Sequence, residues 1–294
     1  MQNSKTYGVI LAIVGVLMFS SKAVMVKLAY QYDVDTVSLL LFRMLFALPV
    51  YIIIAVMYPP KIKPVSRDYF WLIGLGLIGY YLASYFDFLG LMYIKASLER
   101  LILFIYPTLV LLISYIFLKK KISKRQALGV FVTYLGIATI FGSELQLSDQ
   151  SNVVIGSVLI LLSALTYAAY LVGSGWLIPK FGATAFTAYA MIVSCIAVII
   201  HYAISLPKGL LDFQAEVYWI GLAMAIFATV IPSFLVSYAI KLLGANNFSL
   251  FGSLGPISTI CLAYLFLEER LTWLQFVGAG IIIGGIFLAE KRKA

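Results

Sequence analysis

The chain has 294 residues, of which 63% are hydrophobic and 11% charged, with a formal net charge of +9. A soluble domain carries about a quarter charged residues, so roughly half the polar coat of a water-exposed surface is missing, and a soluble enzyme or a nucleic-acid binder is excluded. One histidine and two cysteines, Cys195 and Cys261, both inside apolar runs, are too few for a zinc site, an iron–sulfur centre or a disulfide framework.

A hydrocarbon core of about 30 Å needs about 20 apolar residues of helix to cross it, and its lack of water forces every backbone group to pair within the segment. Applied in chain order, this ruler predicts ten spans, near 7–29, 36–57, 69–90, 96–118, 126–142, 153–173, 184–205, 218–240, 246–267 and 272–289. The fold expected is an all-α polytopic membrane protein. The first run is not a cleavable signal peptide, because no small-residue cleavage site follows it and Lys22 and Lys27 interrupt it.

The basic residues orient these spans. With the N-terminus inside, cytoplasmic segments hold Lys5, Lys61, Lys63, Arg67, Lys119, Lys120, Lys121, Lys124, Arg125, Lys180, Lys241, Lys291, Arg292 and Lys293. The opposite loops hold Lys95, Lys208 and Arg270. A split of 14 to 3 follows the positive-inside rule. The acidic loops at Asp33/Asp35 and Glu144/Asp149 fall outside, and both termini are expected in the cytoplasm of a cell carrying this protein in its cell (inner) membrane.

The two halves of the chain are alike. The stretch from Pro107 aligns without gaps on the stretch from Pro256, 149 positions later, matching Tyr115 with Tyr264, Phe117 with Phe266, Gln126 with Gln275, Gly129 with Gly278 and Gly136 with Gly285. Each half then holds five spans. Because five is odd, the copies cross the membrane in opposite senses, the arrangement that secondary transporters use for alternating access. The alternative is a duplication that only built a larger bundle.

Five segments carry a resemblance: LLFRMLFALP, SLERLILFIYPTLVLLISYIFLKKKIS and ALGVFVTYLGIATIF in the first half, FSLFGSLGPISTICLAYLFLEERLT and FVGAGIIIGGIFLAE in the second. The chain resembles an EamA-domain member of the drug/metabolite transporter superfamily over nearly its whole length, with repeats at 7–142 and 153–290. The resemblance implies a ten-helix basket with a central cavity, and export or exchange of small metabolites such as amino acids. The second half departs from the first: Phe248 and Ser249 stand where the first half has Glu99 and Arg100, and Gly175 or a neighbour replaces Lys27.

Ionisable groups inside a membrane cost about 2.5–3.5 kcal/mol each on insertion scales. Six fall in the outer halves of the first-repeat spans: Lys22, Lys27, Arg43, Asp87, Glu99 and Arg100. Their net positive sum favours an anionic group such as a carboxylate, which Arg43 or Arg100 can hold in bidentate fashion. The bland alternatives are snorkelling of Lys27, Asp87 and Arg100, and packing pairs among Arg43, Asp87, Glu99 and Arg100.

Among the aromatic residues, Tyr81 and Tyr85 share a face at i, i+4 close to Tyr80 and Ser84, and Tyr167, Tyr170 and Tyr238 add hydroxyls. They suit either an amphipathic substrate or a packed aromatic belt. Pro107 and Pro256, with Gly252 and Gly255, read as paired hinges or static kinks. Gly280 and Gly284 form a G-x-x-x-G that permits close packing in the bundle or a homodimer. His201 reads as a structural or cavity-edge residue.

No phosphate-binding loop and no long cytoplasmic segment accompany the spans, so no nucleotide cofactor is expected. The partners expected are a small-molecule substrate and the lipid bilayer, without nucleic acid. An intramembrane enzyme would need clustered acids for a metal, or a serine–histidine pair, and the spans offer neither. A non-transporting scaffold stays open.

Overall fold

The computed structural model describes residues 2–60, 64–119, 122–147, 150–205, 209–270 and 272–289, which form helices and no strand. In chain order the helices are α1 (Gln2–Tyr30), α2 (Thr36–Met57), α3 (Ser66–Tyr93), α4 (Ala96–Leu118), α5 (Lys124–Leu147), α6 (Gln150–Phe181), α7 (Ala183–Ser205), α8 (Ala215–Leu243), α9 (Ala245–Leu267) and α10 (Trp273–Ala289). Among the described residues, eight helices are long and apolar enough to cross a membrane: all of these but α5 and α10. Those two are helices at the positions of the fifth and tenth expected spans, and they pack against each other. Of the charges that orient the chain, Lys61, Lys63, Lys120, Lys121, Asp149, Lys208, Lys291, Arg292 and Lys293 lie outside the described residues.

Local chemistry sets the helix ends. Asp35 caps α2: its Oδ1 accepts from the amides of Val37 at 3.0 Å and Ser38 at 2.9 Å, satisfying donors that the first turn leaves free. Helix α6 runs well past its expected end near residue 173, because the uncharged run continues through Pro179. It stops at Gly182, whose φ of 80° suits a residue without Cβ and whose N–H donates to the Ile178 carbonyl at 2.8 Å.

The same devices recur 149 positions apart. Asp33 and Gly182 take positive φ in the connections after α1 and α6, and Lys119 and Glu268 do so after α4 and α9. The capping box of Ser123 and Gln126 opens α5, and that of Thr272 and Gln275 opens α10. A π-helical turn interrupts α3 at Leu77–Leu82 and α8 at Ile226–Val230. Helix α4 breaks at Phe104 and Ile105, and α9 passes through a 3₁₀ turn at Phe251–Ser253.

Packing follows this plan. Helix α1 lies against α8 and α9, as α6 lies against α3 and α4; α2 meets α7, and α4 meets α9. Moving five helices along the chain returns the same set of neighbours. Large apolar side chains such as Ile53, Phe70, Phe117, Trp219 and Leu265 face outward, as expected where the surrounding medium is lipid.

Small residues let α5 and α10 approach closely. A methyl group at Gly136 would stand 2.7 Å from the Gly278 carbonyl oxygen, and one at Gly285 would stand 2.8 Å from that of Gly129. Gly280 and Gly284 face open space instead, so the G-x-x-x-G pair is not what joins helices within the bundle. Gly136→Ala or Gly285→Ala is expected to cost about 1–3 kcal/mol through overpacking, seen as a lower melting temperature in detergent. Gly280→Ala and Gly284→Ala are expected to leave the monomer unchanged or raise its melting temperature slightly, since alanine is the better helix former. Equal losses at all four positions would contradict this packing.

Candidate functional site

The interrupted helices converge on a central cavity that is partly open to solvent. Pro107 and Pro256 explain the two breaks. Each lacks an N–H, so the carbonyl four residues earlier has no helical partner and the helix cannot continue straight. Tyr106, beside the first break, reaches across to Gly252 in the second, where any added Cβ would collide with the Tyr106 hydroxyl. The two breaks are therefore joined through Tyr106 and Gly252, and Gly252 and Gly255 line the cavity itself.

Both halves build the wall. Helix α1 supplies Phe19 and Lys22, α2 supplies Arg43, and the π turn of α3 presents Gly79 and Tyr80 with Ser84 one turn on. Helix α4 adds Arg100 and Tyr106, α6 adds Ser163 and Tyr167, α8 adds Thr229 and α9 adds Phe248. Among the described residues, three cations thus line the cavity and no carboxylate does.

Each cation is held differently. Lys22 Nζ lies 2.7 Å from Asp87 Oδ2, an ion pair between α1 and α3. Arg100 Nε donates to Thr259 Oγ1 at 3.0 Å, and an Arg100 η nitrogen donates to the Phe19 carbonyl at 3.2 Å, which ties α4 to α9 and α1. Its Nε also lies 3.7 Å from Glu99 Oε2. Arg43 has no carboxylate partner among the described residues. One of its η nitrogens donates to Ser84 Oγ at 2.8 Å, its guanidinium stacks 4.9 Å from the Phe88 ring centroid, and its buried Nε has no partner. A guanidinium 2% exposed and so incompletely satisfied has donors to spare for an acceptor entering the cavity.

The remaining sequence candidates fall elsewhere. Asp87 and Glu99 are fully buried behind the wall rather than in it, so neither snorkels to the surface. Lys27 donates to the Leu91 carbonyl at 2.9 Å. Tyr81 and Tyr85 do not line the cavity: Tyr80 and Ser84 share the face that does, and the neighbouring face turns to α7, where the Tyr81 hydroxyl lies 3.1 Å from His201 Nδ1 and the Tyr85 ring 4.9 Å from that of His201. Tyr238 is also off the cavity, more than a third exposed, with its hydroxyl 2.7 Å from Thr184 Oγ1.

Ser163, Thr229 and Thr259 carry no signal in a sequence rich in small hydroxyl residues. Nor did Glu269, whose carboxylate accepts from the amides of Ala96 and Ser97, each at 2.9 Å, and from Ser97 Oγ at 2.6 Å. It caps α4 from the connection between α9 and α10 and so links the two halves.

Residues 6–142 and 154–290 each match the model of the EamA-like transporter family. The chain belongs to that family. EamA proteins are members of the drug/metabolite transporter superfamily. Among EamA relatives, the chain is 32% identical to "Uncharacterized transporter YcbK" of Bacillus subtilis (strain 168) over 292 residues, 97% of this chain and 93% of that protein. It is 23% identical to an "Uncharacterized transporter" of Archaeoglobus fulgidus across 99% of both chains. A solved crystal structure with 16% sequence identity superposes with a TM-score of 0.68, covering 97% of this chain and 96% of the other, and shows the same fold. Family and relatives together make this a multi-pass membrane protein of transporter type.

Proposed function

We propose that the protein is a secondary transporter of the cell membrane that moves a small organic acid or amino acid by alternating access. In this reading, segments 7–142 and 153–290 are inverted five-helix repeats, the chain crosses the bilayer ten times with α5 and α10 included, and both termini face the cytoplasm. The recurrence of each helix break at the equivalent place in the other half supports two units able to exchange conformations. The distribution of Lys and Arg along the sequence supports the orientation.

The observation that carries the substrate class is the cavity wall: Lys22, Arg43 and Arg100, with Ser84, Tyr80 and Tyr167 beside them and, among the described residues, no acid. A wall of this sign attracts a carboxylate and repels an amine that has no carboxylate of its own. Such a carrier is reversible, so export, uptake or exchange follows the gradients imposed on it.

Counterflow in proteoliposomes tests this. Vesicles preloaded with unlabelled lactate, leucine, glutamate or putrescine are expected to concentrate the corresponding radiolabelled compound for at least one of the carboxylated three, and not for putrescine. Flux of putrescine alone, or of none of the four, would overturn the proposal.

A further inference from the structure

Behind the cavity, Asp87 of α3 and Glu99 of α4 stand side by side, their carboxyl groups within hydrogen-bonding reach of each other. Both are fully buried, and among the described residues no hydroxyl or amide donates to any of their four oxygens. Two carboxylates in contact repel each other and offer only acceptors. A single proton between them turns the contact into an O–H···O⁻ hydrogen bond, which is strong because one partner is charged. The surrounding cations are too few and too far to replace it: Lys22 reaches Asp87 only, and Arg100 stays 3.7 Å from Glu99 while its Nε serves Thr259.

We propose that Asp87 and Glu99 form a proton-binding pair, and that the proton and an anionic substrate are bound, and cross, together. The substrate half of this inference rests on the transport reading above; the proton pair does not. The step is simple. A proton passes from water to a Glu99 oxygen, its O–H directed at Asp87, and release reverses it; no other bond forms or breaks.

Arg100 supplies the coupling, because its charge stands 3.7 Å from Glu99 on one side and it lines the cavity on the other. An anion that draws the Arg100 guanidinium toward the cavity leaves Glu99 with less positive charge, and so favours the proton staying. By linkage, the bound proton favours the anion equally.

Charge balance agrees. Among the described residues, the titratable and charged groups facing the pair are Lys22 and Tyr30 from α1, Arg43 from α2 and Arg100 from its own helix, while α9 offers Arg100 the uncharged Thr259. With both acids ionised, the cluster and cavity wall hold one net positive charge. The shared proton raises this to two, and a bound monoanion returns it to one.

Infrared spectroscopy of the wild-type protein in liposomes at neutral pH tests the pair without any ligand. The expected result is a carbonyl stretch of a protonated carboxyl that shifts in deuterium oxide and disappears in Glu99→Gln. No such band in the wild type, or a band that persists in Glu99→Gln, overturns the pair. For coupling, wild-type vesicles more acidic outside than inside are offered whichever of labelled lactate, leucine or glutamate gives counterflow. One proton per substrate supports up to about tenfold accumulation for one pH unit, together with proton entry reported by a trapped pH-sensitive dye, and Glu99→Gln is expected to abolish that gradient-driven gain. Accumulation indifferent to the pH gradient overturns the coupling while leaving transport intact; absence of flux from every compound overturns the transport reading.

Discussion

Replacing Arg43 by methionine is expected to raise the melting temperature of the purified protein while suppressing transport. Arg43 is buried, its Nε has no partner and, among the described residues, no carboxylate forms an ion pair with it. Burying such a group costs free energy that its one hydrogen bond to Ser84 and its stacking on Phe88 do not recover. An apolar side chain of similar length removes that penalty, as at other sites where function keeps a strained group in place. In the proposed transport reading, the guanidinium is the group that holds the substrate carboxylate. A hydrogen bond to a charged group contributes about 1.5–3 kcal/mol, so Arg43→Met is expected to raise the half-saturation concentration for the carboxylated compound of the counterflow assay about 10- to 100-fold. Arg43→Lys keeps the charge but not the planar fork, and is expected to recover only part of the loss. If Arg43→Met melts lower than wild type and transports normally, Arg43 is a structural residue and the cavity's anion preference has another source.

Much of the fold was legible from hydropathy, because a membrane helix must be long, apolar and internally paired. The duplication was legible from Pro107/Pro256 and the residues that follow each, and these same residues proved to mark the helix breaks. The charged candidates were legible because a charge within an apolar run is rare, and Lys22, Arg43 and Arg100 do line the cavity. Facing was harder. Tyr80 and Tyr81 are adjacent tyrosines in an all-apolar turn, and nothing in their identity says which one faces the cavity; the π turn that sets the register has no residue signature. The hydroxyl contributors Ser163 and Thr259 were hidden for a similar reason, since small polar residues in membrane helices commonly bond to their own backbone, as Thr187 and Ser174 do here. Glu269 looked like an ordinary loop charge, and only the tertiary fold brings it to the first turn of α4.

The Lys22–Asp87 pair is expected to behave in the opposite way to Arg43. Its atoms are 2.7 Å apart, Asp87 is fully buried and Lys22 nearly so. Removing one member of a buried pair strands the other, at a cost of about 3–5 kcal/mol, whereas replacing both by apolar residues of similar size is often neutral or stabilising. Lys22→Met and Asp87→Leu should therefore each lower stability sharply, and the double variant should recover most of it, giving a large coupling energy in a double-mutant cycle of unfolding in detergent micelles. The double variant is nonetheless expected to fail in gradient-driven accumulation, because Glu99 has lost the carboxylate with which it shares the proton. Single variants that each lose only a few tenths of a kcal/mol would mean that water reaches the pair and screens it. That would also remove the dry surroundings on which a shared proton between Asp87 and Glu99 depends.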